Sequence, residues 1–192
     1  MRRLSTAGRT RPRTILTGIT ALLLLLVSLL TAEPVSAREN GLLDVTCTAP
    51  SSSSVTYSPP LTNIPQASSA MTSWQLGPCL SASVPALTSG SHFAVSAPFD
   101  RSCLALLDAN AITRTITWNT GATSTLSMNR TTTVVGAVLT VTYAGTVSSG
   151  LFSGDTVLII VTYPATGITL CTLGLGTVAN LFGVVTLEIT SV

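Results

Sequence analysis

The sequence predicts an all-β chain, an antiparallel β-sandwich of seven to nine strands preceded by a cleaved signal helix. Three observations predict it. Apolar and hydroxyl residues alternate with a period of two, and no segment sustains a period of 3.6. Gly and Pro punctuate these runs at roughly 8–12-residue spacing. After residue 37, Ser and Thr supply 46 of 155 residues beside abundant Val, Ile and Leu, so the solvent face is built from hydroxyls, not charges.

The leader comes first in the chain. Arg2, Arg3, Arg9, Arg11 and Arg13 form a positive segment without an acid. An apolar run from Ile15 to Leu30 follows, then a polar stretch with Val35 and Ala37 at the −3 and −1 positions of a signal-peptidase site. The run falls short of the ~20 residues a spanning helix needs. Residues 1–37 are therefore expected to be a signal peptide, and residues 38–192 a single secreted domain beginning at Arg38. The next long apolar run, Val157–Val161, is too short to span, so no membrane insertion is expected after cleavage.

The expected strands Leu42–Thr48 and Val55–Ser58 flank the Ser51–Ser54 run, and Pro59, Pro60 and Pro65 enforce an extended loop. Met71–Leu76 and His92–Ser96 are shorter candidates. The clearest hairpin is Ile112-Thr-Arg-Thr-Ile-Thr-Trp118 with its return Ala122–Met128 across Asn119-Thr-Gly121. Ile112, Ile116 and Trp118 share one face and the threonines the other. Val134–Val147 continues the alternation, with Leu139, Val141 and Tyr143 opposite Thr140 and Thr142. Val157–Tyr163 is apolar on both faces and reads as a central strand stopped by Pro164. Ile168–Leu173 and Val184–Val192 complete the set across a glycine-rich turn, Gly174–Gly183.

Charge excludes one large class. Residues 38–192 carry four arginines, no lysine and six acids, a net charge of −2. Nothing basic enough to track a phosphate backbone is present, so no nucleic-acid partner is expected. Arginine as the sole basic residue, with abundant Ala, Gly, Thr and Val, points to a GC-rich, actinobacterial source.

Cys47, Cys79, Cys103 and Cys171 make an even count in an exported chain, which reads as two disulfides. Pairing Cys79–Cys103 closes a short loop-rich segment, and Cys47–Cys171 then ties the first strand to a late one. Cys47–Cys103 with Cys79–Cys171 is the near alternative. No two cysteines lie within four residues, and only His92 could assist, so no metal site is expected.

Ser91, His92 and Asp100 or Asp108 could formally make a triad, but there is no Gly-x-Ser-x-Gly elbow; Gly150-Leu-Phe-Ser-Gly154 misses the spacing. His92 reads more simply as the start of a strand after the turn Ser89-Gly-Ser91. Gly174-Leu-Gly-Thr-Val-Ala179 matches a dinucleotide fingerprint by letter, but only 13 residues follow Ala179. No catalytic residue and no cofactor are expected. Trp74, Trp118, Tyr57 and Tyr143 are read as core or cross-strand aromatics before they are read as a binding surface.

Several stretches together carry a resemblance: Cys47-Thr-Ala-Pro, Val55-Thr-Tyr-Ser-Pro59, Thr115-Ile-Thr-Trp-Asn-Thr-Gly121, Ser149-Gly-Leu-Phe-Ser-Gly-Asp155 and Val185-Thr-Leu-Glu-Ile189. The chain resembles small secreted actinobacterial proteins of immunoglobulin-like β-sandwich character. In compartment, composition and cysteine count it is also similar to the antitumour chromoprotein apoproteins, whose cysteines lie in closer pairs. The resemblance implies an immunoglobulin-like fold and supplies no functional residues. The expected function is a non-enzymatic extracellular binding or structural module of the cell envelope or secretome, with an extracellular ligand or protein as partner. A carrier of an apolar small molecule is the alternative, and a serine hydrolase built on Ser91, His92 and Asp100 the second.

Overall fold

A computed structural model describes residues 42–192. The signal peptide expected over residues 1–37, and the chain start at Arg38, lie outside the described residues.

The period-two alternation becomes long antiparallel strands: β1 (Leu43–Cys47), β2 (Ser52–Leu61), β3 (Gln66–Leu76), β4 (Cys79–Ser81), β5 (Gly90–Val95), β6 (Phe99–Arg101), β7 (Asn110–Trp118), β8 (Thr123–Val135), β9 (Val138–Gly150), β10 (Thr156–Pro164) and β11 (Val178–Thr190). A 3-10 helix spans Cys103–Leu107, and an α-helix, α1, spans Thr166–Thr172. Strands β2, β3, β5, β7, β8, β9, β10 and β11 follow one another as an up-and-down meander. The last, β11, pairs with β10 over Val184–Thr190 and with β2 over Val178–Val184. Eight strands thus close into a barrel.

This overturns the expected immunoglobulin-like sandwich. A sandwich has two sheets facing each other, whereas here one sheet returns to its own first strand. Closure needs sharply bent strands, and inward-facing glycines supply the bends. A Cβ on Gly145 of β9 would run into the Ser127 carbonyl oxygen, and one on Gly183 of β11 into that of Thr162. No helix among the described residues is long and apolar enough to cross a membrane.

The β7–β8 hairpin forms as expected. Ile116 and Trp118 are buried while Thr115 and Thr117 are exposed, and Gly121 takes a positive φ of 84° in the turn. Leu139, Val141 and Tyr143 also face inward. Other elements differ. The stretch Val134–Val147 is not one strand; it folds back at Gly136 and Ala137, with Gly136 at φ 59°. Val157–Tyr163 is not a central strand, because a barrel has an inner and an outer wall. Val157, Ile159, Val161 and Tyr163 point in, and Leu158 and Ile160 lie on the outside.

Ile168–Leu173 is helical, not extended. Ile168 and Cys171, three residues apart, bury one face of α1. Gly174, at φ 77°, ends it in a Schellman motif: its amide donates to the Cys171 carbonyl and that of Leu175 to Leu170.

The two disulfides are present with a third pairing, Cys47–Cys79 and Cys103–Cys171, so neither Cys79–Cys103 with Cys47–Cys171 nor Cys47–Cys103 with Cys79–Cys171 holds. The reason lies in the elements. Cys47 of β1 and Cys79 of β4 are direct cross-strand partners with Cα atoms 4.0 Å apart. Cys171 sits on α1, not on a late strand, and so meets Cys103 of the 3-10 helix.

Candidate functional site

The barrel has two unlike ends. At one, inward residues fill the lumen: Trp118, Ile116, Leu126, Val147, Ile159 and Leu187 are almost wholly buried. Trp118 donates its indole N–H to Ser124 Oγ at 2.8 Å, and Ser124 donates on to the Leu151 carbonyl. Next to this plug, Trp74 packs against both His92 and Tyr143, with ring centroids 5.0 and 5.5 Å away.

Beyond that layer the lumen opens into a cavity of about 640 Å³. Small residues make the room, among them Ala70 of β3 and Ala94 of β5, while Ile112, Leu139 and Val141 give it apolar walls. The polar groups include Tyr57, Tyr143 and Tyr163 with Arg101, Arg114 and Arg130, beside the smaller Thr72, Ser96 and Asn110. The three arginines are all those among the described residues, and the chain contains no lysine. The one carboxylate in the lining is that of Asp108. The 3-10 helix contributes Ala105 and Leu106 to the same lining, and the Cys103–Cys171 bridge fastens it to α1.

Two of the arginines are engaged. Arg101 donates to Ser96 Oγ at 3.0 Å and lies 3.7 Å over the Phe99 ring. Arg130 donates to the carbonyl oxygens of Leu106 and Asp108, holding the 3-10 segment against the barrel. Arg114 differs in making no side-chain hydrogen bond among the described residues; its Nε is buried without a partner, as is that of Arg101. Burial lowers the pKa of Arg114, which still leaves a guanidinium charged.

The phenols stay neutral. Burial pushes Tyr57 up to about 12 despite the nearby Arg101 and Arg130, and raises Tyr143 and Tyr163 as well. Tyr163 shares a 2.7 Å hydrogen bond with Ser53. The lumen therefore offers apolar walls, neutral phenols and a surplus of positive charge.

The hydrolase set is not assembled. His92 Nδ1 donates to the Thr115 carbonyl at 2.8 Å, which places its lone pair on the buried, unpartnered Nε2. Ser91, its neighbour on β5, faces the opposite side of the sheet, and Asp100 is exposed on β6. Trp74 and Trp118 serve the core, whereas Tyr57 and Tyr143 belong to the cavity.

Desolvation lowers the pKa of His92 below its usual 6.5, the Thr115 bond opposes this, and Arg114 adds to it. Below pH 6.5 the unfolded chain therefore takes up a proton that the folded chain resists. Stability should be full above that pH and fall as the pH drops through it. Asp155, raised by burial and by the Asp44 carboxyl beside it, acts in the opposite sense. The comparison with His92→Gln isolates the histidine. In urea melts from pH 7.5 to pH 5 the variant should lose less stability than the wild type; equal losses would exclude the buried neutral histidine.

Sequence reasoning missed Arg114 and Arg130, although a signal existed. Arg114 shares the parity of Ile112, Ile116 and Trp118 on β7, and Arg130 that of Leu126 and Met128 on β8. Each places a cation on the apolar face of an amphipathic strand. No family model matches the chain, and neither curated proteins nor solved structures give a significant match.

Proposed function

We propose that the protein is a secreted, non-enzymatic binder that carries one small molecule in its barrel lumen. The observation that supports this most is the cavity itself. Its volume of about 640 Å³ falls within the roughly 300–1,000 Å³ range of small-molecule sites. Its apolar walls with a few convergent polar groups are the usual composition of such sites. Eight strands enclose enough space for side chains alone or for one small ligand, and here small residues such as Ala70 and Ala94 leave part of that space open. Two disulfides favour an oxidising compartment, in keeping with the leader. The backbone bond of His92, with Ser91 turned away, favours carriage over hydrolysis.

The test is to incubate the purified domain with a solvent extract of its host's culture medium and record native mass spectra. A single non-covalent adduct should appear, be lost on denaturation, and be absent in Ala94→Trp, which fills the lumen. Adducts of equal abundance in Ala94→Trp would place binding elsewhere.

A further inference from the structure

We infer that the lumen selects an amphiphilic organic anion, whose acidic head group is held by Arg114 while its apolar body lies against Ile112, Leu139 and Val141. This rests on the lumen being a ligand site. The guanidinium of Arg114 enters the cavity from the middle of β7, on the inward face. A cation taken from water into such a place is costly unless paired and hydrogen-bonded. Its sister arginines each make side-chain hydrogen bonds within the protein, Arg130 to two carbonyls and Arg101 to Ser96, with the Phe99 ring beneath it although its Nε has no partner. Arg114 makes none among the described residues.

The other charges around the cavity sharpen the choice. Arg101 and Arg130 add positive potential, and Asp108 is the single carboxylate of the lining. A cationic ligand would meet three guanidinium groups. A neutral one would leave Arg114 unpaired in a site from which it had displaced the water. A carboxylate, sulfonate or phosphate ester would accept two parallel N–H bonds from the guanidinium fork, and Tyr143, a neutral phenol of the same lining, could donate a further one.

A matched pair of fluorescent probes separates the terms. 8-Anilinonaphthalene-1-sulfonate and N-phenyl-1-naphthylamine have the same aromatic body, and only the first carries an acid. The sulfonate should bind one to one and at least about tenfold more tightly than the neutral amine. Arg114→Met, which keeps an unbranched apolar stem and removes the guanidinium, should remove that preference by weakening the sulfonate and sparing the amine. Its melting temperature should equal or exceed that of the wild type, since an unpaired cation is replaced by an apolar chain; this guards against loss of fold as the cause. Equal affinities for both probes, unchanged in Arg114→Met but lost in Ala94→Trp, would overturn the anion inference and leave the lumen as a binding site. Binding of both probes unaffected by Ala94→Trp would overturn the lumen reading and the inference together.

Discussion

Trp118→Ala should destabilise the domain by about 3–5 kcal/mol, read as a fall in the urea midpoint at unchanged slope. The indole plugs the closed end of the barrel and is 2% exposed. It lies so close to β5 that a Cβ on Gly90 would stand 2.6 Å from its ring. Phe152 meets it edge-on at 6.1 Å from a backbone with φ 66°, a conformation few non-glycine residues adopt. Truncation therefore leaves a large void that a closed barrel, constrained on every side, cannot collapse. Trp118→Phe keeps most of the volume and gives up the bond to Ser124, so it should cost about 1–2 kcal/mol. Thr117→Ala, on the outer wall, should lie within about 0.5 kcal/mol of wild type. A Thr117 effect larger than that of Trp118 would mean that the β7 register is off by one.

Removing Cys103–Cys171 should cost about 4 kcal/mol, and Cys47–Cys79 somewhat less, because the bridges close loops of 68 and 32 residues. Paired Cys→Ala variants and thermal melts would measure this. The bridges should differ more in their effect on binding than on stability. Cys103–Cys171 joins the 3-10 helix and α1 at the cavity end, whereas Cys47–Cys79 joins β1 to β4 at the filled end. Ligand exchange should quicken when the first is removed and be unaffected by the second. Equal exchange rates would mean that the 3-10 segment does not restrict the entrance.

Much of the secondary structure was legible in the chain. Alternation at Ile112–Trp118 and Leu139–Tyr143 defined which side chains face inward, because burial of one sheet face enforces it. That same alternation is silent on whether the sheet closes, since sandwich and barrel both bury one face. The distinction rests on the pairing of β11 with β2, across more than a hundred residues, and on the bends at Gly145 and Gly183. An inward glycine within an alternating strand was the available hint. Ile168–Leu173 misled because a short apolar run fits strand and helix alike, and the error carried Cys171 into the wrong partnership. The cavity was least legible. Arg114 and Arg130 share the inner face of the β7–β8 hairpin, but Arg101 lies on β6, which pairs with β3, and only the tertiary fold brings it to the same space.

The central claim is that the ligand lies inside the barrel and not on its wall. Methyl NMR titrated with 8-anilinonaphthalene-1-sulfonate tests it most directly, because the chain provides matched residues on the two surfaces. Ile112, Leu139 and Val141 line the lumen; Ile160, Leu158 and Val184 lie on the outside. The inner methyls should shift and saturate at one equivalent while the outer ones stay in place. Shifts confined to Ile160, Leu158 and Val184 would contradict the account.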